Sequence, residues 1–417
     1  MKITFGLRKI LGQKSGQIKK KWAYDAQSTL VAPPTVCNLG NQDQKNIIFG
    51  TKEGKIFLMN KDSQVQWVFD AKEQVDQVEL MFLDVETANS IQSPPNIYDI
   101  DGDGKKEILF GSEMGFVYAL NYEGKPIWKF NAEDAIRGGL IIKDIDGDGK
   151  QEIIFGSSDR NIYILSNKGK LIEKIEIEEE IESTPEILGN KIIFGTNKGT
   201  IHCIRTDGEK LWTFQTNEKI IAQPSIGKIQ GDENNYIIIG SQDQRLYCLS
   251  EQGEEMWNFK TDGAIYSKAA LADINNDKKL EIIFGSCDNK VYALDSKGEQ
   301  IWSYETNFWV VAPVIVTDID NDGKLEIIVG SYDHNLYILD AKGNYMLNYV
   351  PGLSGVMQQT GSYSEIATSE AGVTVGKKLW QYQTEGIIVG CAVIDEDKEI
   401  IINTEKGSVD NLKFEEK

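Results

Sequence analysis

One phrase recurs along this chain, and it leaves little freedom in what the chain can become. An apolar run ends in Gly and Ser or Thr. A polar turn, an aromatic-centred strand, a second turn and a Trp-bearing strand follow. The phrase runs from Ile108-Leu109-Phe110-Gly111-Ser112 through Val117-Tyr118-Ala119-Leu120 to Trp128, and returns from Ile282-Ile283-Phe284-Gly285-Ser286 through Val291-Tyr292-Ala293-Leu294 to Trp302. Gly195, Gly240, Gly285 and Gly330 recur with a period of about 45 residues, as do Trp212, Trp257 and Trp302. Each unit reads as four short strands, A to D, rich in Ile, Val, Tyr and Phe and bounded by Gly, Asp, Asn and Lys turns. No long amphipathic helical pattern interrupts them.

A supersecondary unit of this size cannot bury its own apolar faces, so neighbouring copies must do it. The expected fold is all-β: a closed β-propeller of four-stranded antiparallel blades. Lys20-Lys21-Trp22-Ala23-Tyr24 is a D strand with no A, B or C strand before it, while Ile387 to Leu412 supplies three strands and no fourth. The N-terminal strand is therefore expected to complete the C-terminal blade, which removes exposed sheet edges. Gly50, Gly111, Gly156, Gly195, Gly240, Gly285 and Gly330 mark seven units, and the closure blade makes eight. The stretch 345–378 leaves one alternative: it is an insertion in blade 7 with Trp380 in the D strand, or 365–380 is a shrunken ninth blade. The domain reading is a basic tail at 1–19 and one propeller over 20–417, with insertions at about 71–91 and 345–378. The recurrent glycine is read as permitting a special backbone or a close approach, and the D-strand Trp as an apolar plug between blades.

The formal charge of −20 argues against nucleic acid and anionic membrane, which are bound mainly through Lys and Arg. No run of about 18 apolar residues signals a transmembrane span. The first residues lack the apolar stretch and cleavage site of a secretory leader. A cytoplasmic location is the expectation, with a secreted or surface location left open. Cys37, Cys203, Cys248, Cys287 and Cys391 are dispersed and signal neither disulfides nor a zinc site.

Three loops alternate acidic and small residues as a hard cation requires. Asp99, Asp101, Asp103 and Glu107 supply carboxylates at positions 1, 3, 5 and 9, and Lys105 supplies its carbonyl at position 7. Asp144, Asp146, Asp148, Lys150 and Glu152 repeat the pattern, as do Asp318, Asp320, Asp322, Lys324 and Glu326. Four carboxylates so close repel one another unless a cation joins them. A fourth loop, with Asp273, Asn275, Asp277 and Glu281, lacks the glycines and one charge, and its occupancy stays open. Asp395, Asp397 and Glu399 are a compressed remnant, expected to be empty.

Two resemblances follow from these residues. The unit GSCDNKVYALDSKGEQIW (285–302) resembles the PQQ-like, quinoprotein-type propeller repeat with its Trp docking motif. The segments DIDGDGKKEILFGS (99–112), DIDGDGKQEIIFGS (144–157) and DIDNDGKLEIIVGS (318–331) resemble the FG-GAP repeat of integrin α-chain propellers. The second resemblance implies A–B loops that bind structural Ca²⁺. The first would permit PQQ chemistry, but the adjacent cysteines and haem motif of those enzymes are missing, so PQQ is not expected.

No catalytic motif is present. His202 stands where other units carry Tyr, a packing position, and His334 lies in a B–C loop. The leading expectation is a non-catalytic, Ca²⁺-binding scaffold whose D–A and B–C loops offer one face to a protein or glycan. Arg160, Arg245, Phe308, Trp309, Tyr332 and His334 are the candidate contacts. For Phe308 and Trp309 the alternative is packing inside the funnel. The competing functions are a PQQ-dependent oxidoreductase and an envelope assembly scaffold of the outer-membrane lipoprotein type.

Overall fold

The computed structural model describes residues 16–39, 45–72, 89–343, 381–394 and 397–416. Runs of Ile, Val, Phe and Tyr between tight turns form eight four-stranded antiparallel sheets. Blade 5 is typical: Ser225–Gly227, Tyr236–Ser241, Arg245–Ser250 and Glu255–Lys260 are its strands A to D. Strand B is buried throughout, whereas strand D alternates between exposed and half-buried positions, as an outermost strand should. The A strands of successive blades touch one another and line the centre. Blades 1 to 7 cover 35–70, 96–131, 141–176, 186–215, 225–260, 270–305 and 315–383.

Blade 8 is assembled from both ends of the chain. Ile388–Ile394, Glu399–Thr404 and Ser408–Glu416 are completed by Gly16–Asp25. Trp22 lies opposite Asn411, and Leu412 lies between Lys20 on one side and Ile400 on the other. The first strand starts at Gly16, ahead of the expected start at Lys20. In blade 7, Gln381–Gln383 pairs with Asn335–Leu339 as the fourth strand. The preceding stretch is therefore an insertion within that blade, and the count is eight. Trp380, 345–378 and the 73–88 part of the other expected insertion fall outside the described residues.

The apolar core lies between blades. Leu109 and Val117 of blade 2 pack with Phe155, Tyr163 and Leu165 of blade 3. Ile401 and Val409 of blade 8 pack with Phe49 and Met59 of blade 1, so the seam is built like the other interfaces. The recurrent glycine serves close approach. A Cβ on Gly195 would lie 2.1 Å from Cγ2 of Ile220, which leads into the next blade. Trp212 Nε1 donates to the Glu251 carbonyl of the next blade (3.0 Å), and its ring covers Gly253, where φ is +83°. Trp128, Trp257 and Trp302 make the same bond one blade further on. No helix among the described residues is long and apolar enough to cross a membrane.

Gly195→Ala should overpack the interface, costing about 1–3 kcal/mol and lowering the melting temperature. Adding Ile220→Ala, which removes the opposing methyl, should make the pair cost less than the sum of the single changes. Strict additivity in thermal melts would contradict the contact.

Candidate metal centres and the opposite rim

The acidic loops join strands A and B of blades 2, 3 and 7, and each folds around its own side chains. In blade 2, Asp99 accepts the amides of Gly102 (2.7 Å) and Gly104 (2.9 Å), which both take positive φ. Asp101 Oδ1 accepts the Asp103 amide at 3.1 Å. Glu107, at the start of strand B, turns back so that Oε2 accepts the Ile100 amide at 3.0 Å. The loop at 144–152 repeats this pattern, and that at 318–326 does so except that Asp318 accepts the amides of Asp322 and Gly323.

The folding gathers three carboxylates per loop. One oxygen each from Asp99, Asp101 and Glu107 lies within 4.8 Å of the others, and the same holds for Asp144, Asp146 and Glu152 and for Asp318, Asp320 and Glu326. An ion with Ca–O bonds of about 2.3–2.6 Å bridges such a span. The position-5 residues Asp103, Asp148 and Asp322 stand outside these groups. Each faces the lysine at position 7, as in Asp322–Lys324 at 2.8 Å and Asp103–Lys105 at 3.8 Å. The expected five-ligand set is thus assembled at positions 1, 3 and 9, and the structure establishes ion pairs for the side chains of Lys105, Lys150 and Lys324. Lys398 of blade 8 also reaches the main-chain carbonyl of Asp320 at 2.8 Å.

The fourth loop behaves differently. Asn275 Nδ2 donates to Glu281 Oε1 at 2.8 Å, so an amide lies among the would-be ligands. In the remnant loop, Glu399 is bound by Lys21 (3.0 Å) and Asn411 (2.7 Å), and Asp397 by Lys61 (3.4 Å). Asp395 lies outside the described residues.

The D–A and B–C loops share the opposite rim, because each B–C loop hydrogen-bonds to the D–A loop before it: Ser158 to Ala135, Gln242 to Lys219, Tyr332 to Trp309. Phe308 and Trp309 stack here at 5.1 Å, and Tyr332 lies 6.3 Å from Trp309. Phe308 and Trp309 keep 44% and 43% of their surface exposed. His334 follows in the same turn, its carbonyl holding the Thr384 amide at 2.8 Å. Arg160 and Arg245 belong to blades 3 and 5, and Arg245 is bound to Asn258 of its own sheet. They are not part of the aromatic cluster.

The recurrent B–C aspartates are structural. Asp243 and Asp288 accept the hydroxyls of Tyr247 (2.7 Å) and Tyr292 (2.6 Å) and amides of the neighbouring D–A loops. His202 is buried and stacked on Phe194 at 5.3 Å, as Tyr292 is on Phe284, and burial lowers its pKa. Burial raises the Cys203 thiol to about 11 and Cys248 to about 12, so neither is a ready nucleophile. Sequence reading places Arg137 on this rim but misses its partners: Arg137 bridges Glu113 and Glu182, and Lys219 pairs with Glu182 at 2.7 Å. It also missed Lys268, which meets Glu186 at 2.8 Å although blades 6 and 4 are not neighbours. These partners are far apart in sequence, and periodicity carries no signal for them.

The family model for the lambda-carrageenase β-propeller domain matches residues 96–185, 188–260 and 251–351. The chain belongs to the lambda-carrageenase β-propeller domain family. No curated protein matches the chain. Among solved structures, BamB from Moraxella catarrhalis is similar, with a TM-score of 0.62 at 15% identity, covering 95% of this chain and 99% of that one. The computationally designed Ika8 protein is similar, with a TM-score of 0.63 at 12% identity, covering 96% and 99%. At these identities the likeness is one of fold.

In this carrageenase-type propeller the buried loop glutamates carry a marked electrostatic signature. Burial, reinforced by the Asp320 charge, raises Glu326 to about 8. Burial, with the charges of Asp101, Asp103 and Asp99, raises Glu107 to about 7. A carboxyl whose pKa rises on folding adds stability that is complete below its unfolded value, about 4.3, and is lost as pH climbs through the folded value. Metal-free protein should therefore melt at lower temperature as pH rises from about 6.5 to 9. His202 acts in the opposite sense, but its effect is complete by about pH 6.5. Glu326→Gln should flatten the slope in melts with EDTA. A slope unchanged by that substitution would remove Glu326 as its source.

Proposed function

We propose that this chain is a non-catalytic propeller scaffold that Ca²⁺ stiffens at the A–B loops of blades 2, 3 and 7, and that its opposite rim receives a protein partner. The observation that carries the partner reading is the half-exposed Phe308–Trp309 stack beside Tyr332. Stacked aromatics that stay in water are the side chains that dominate protein contacts once covered. The aspartate of the adjoining B–C turn is engaged: Asp333 accepts the Tyr337 hydroxyl and the Asn307 amide. That favours recognition over acid–base chemistry.

Ca²⁺ fits the loops by donor type. The donors are hard carboxylate oxygens with no His or Cys among them, and the FG-GAP resemblance of 99–112, 144–157 and 318–331 points to the same ion. Asp99, Asp101 and Glu107, with their counterparts in blades 3 and 7, would hold it. The ion would offset the charge of buried carboxylates and pin each hairpin. The quinoprotein reading and the envelope-scaffold reading rank below this one.

Ca²⁺ should raise the melting temperature and EDTA should lower it, with about 2.7 kcal/mol of added stability at a hundredfold excess over Kd. Asp101→Ala and Asp320→Ala should each remove one site and leave the ring folded. Absence of bound ion in calorimetry would end the metal reading. For the partner, Phe308→Ala with Trp309→Ala should weaken capture at least tenfold without changing the melting temperature. The retained species should survive glycosidase and be destroyed by protease; the reverse sensitivity would point to a glycan. Dye-linked alcohol or sugar oxidation after addition of PQQ would overturn the non-catalytic reading.

A further inference from the structure

We infer that Asn275 is an internal replacement for the cation: its amide occupies the ion's place in blade 6, and a single change to Asp converts that loop into a cation site. This rests on the metal reading of the other loops.

The comparison lies within one chain. The glutamates ending the loops of blades 2, 3, 6 and 7 are all buried, with Glu107, Glu152, Glu281 and Glu326 at 4%, 5%, 1% and 2% exposure. In each, Oε2 accepts the amide two residues into the loop: Ile100, Ile145, Ile274 or Ile319, at 2.9 to 3.0 Å. The difference lies at Oε1. Among the described residues, Oε1 of Glu107, Glu152 and Glu326 receives no hydrogen bond, and the three side chains point into a group of carboxylate oxygens. A carboxylate oxygen left in that state is open to water or to a cation. Oε1 of Glu281 does have a partner, Asn275 Nδ2 at 2.8 Å.

The orientation of the Asn275 amide is set by its other end. Asn275 Oδ1 accepts the Asp277 amide at 2.8 Å, the bond that Asp101, Asp146 and Asp320 make in their loops, so the NH₂ group is left facing Glu281. Asn is isosteric with Asp. Where an aspartate would aim a second anionic oxygen at the ion, Asn275 aims two hydrogens.

The remaining architecture is intact. Asp273 accepts the amides of Asp277 (3.0 Å) and Lys278 (2.9 Å), as Asp318 accepts those of Asp322 and Gly323. Asn276 and Lys278 take φ of +63° and +70°, where blade 7 has Asn321 at +58° and Gly323 at +85°. The loop keeps the cation-binding backbone without the glycines. Blade 8 gives an independent instance of substitution: Lys21, at a bulge in the first strand, meets the buried Glu399 at 3.0 Å, and Asn411 takes its other oxygen.

Equilibrium dialysis of the full chain against Ca²⁺ at neutral pH tests the inference. Asn275→Asp should bind one more equivalent than the parent, and its melting temperature should fall further in EDTA and recover further with Ca²⁺. Asn275→Ala, which removes the donor without adding a charge, should gain no ion and melt lower than the parent at every Ca²⁺ concentration. If Asn275→Asp folds only when Ca²⁺ is present, recovery of folded protein with and without the ion reads the same outcome. A parent that binds no Ca²⁺ would sink the metal reading beneath the inference. A parent that binds Ca²⁺, with an Asn275→Asp variant that binds no more or stays unfolded even with Ca²⁺, would sink the inference alone. An ion lost from the parent on Asn275→Ala would also overturn it, because the loop would then have been occupied from the start.

Discussion

The structure depends on apolar surface that no blade can bury alone. Strand B is buried on both faces, yet a four-stranded sheet has no second layer of its own. The missing layer is the next blade. Phe155 and Tyr163 of blade 3 complete the interface with blade 2, while Ile154 and Ile162 on the other face complete the one with blade 4. Each interface is tightened where a glycine admits a branched side chain, as Gly195 admits Ile220, and at the periphery where a Trp lies on the next blade's turn. A chain with this need has no stable open form with two bare end faces, so pairing of Gly16–Asp25 with Ser408–Glu416 is a condition of the fold.

The same constraint explains the loops. Strand B is dry along its length, and in blades 2, 3, 6, 7 and 8 it begins with a glutamate whose side chain is buried with it. That carboxylate needs positive charge or donated hydrogens. The chain answers with an asparagine amide in blade 6 and a lysine in blade 8. In blades 2, 3 and 7 it presents converging aspartates instead. Blade 4 avoids the question with a short A–B turn between Leu188 and Lys191. The loops thus differ because a single buried group is satisfied in different ways.

The propeller and its closure were legible in the sequence because both are carried by period and by strand patterning, which are local signals. The count of eight was the leading reading but left a ninth blade open, and the pairing of Gln381–Gln383 on Asn335–Leu339 decides for eight. The start of the first strand at Gly16 was not legible, because Gly16, Gln17 and Ile18 carry no strand pattern and are placed by their partners at 414–416. Loop positions 1, 3 and 9 could be read from acidic spacing. The diversion of Asp103, Asp148 and Asp322 toward lysines could not, since it depends on rotamers. Asn275 reads as a weakened ligand from its type; the capture of its Oδ1 by the Asp277 N–H could not be read from the sequence. On the rim, Phe308 and Trp309 stood out by type, while the ion pairs of Arg137, between adjoining loops, and of Lys268, between blades that are not neighbours, leave no trace in spacing.

Closure through the two ends also has a consequence for the order of events during synthesis. The strand 16–25 leaves the ribosome long before its sheet partners at 388–416. In the interval it lacks its sheet partner, and an unpaired strand-forming segment is open to pairing with foreign strands. Lys19, Lys20 and Lys21 run through its middle. Adjacent ammonium groups repel a second copy of the same strand, and so act as a gatekeeper while the nascent chain waits. Once the ring shuts, Lys21 settles on Glu399. The charge that keeps the early strand solitary thus becomes part of the lock that holds the finished ring.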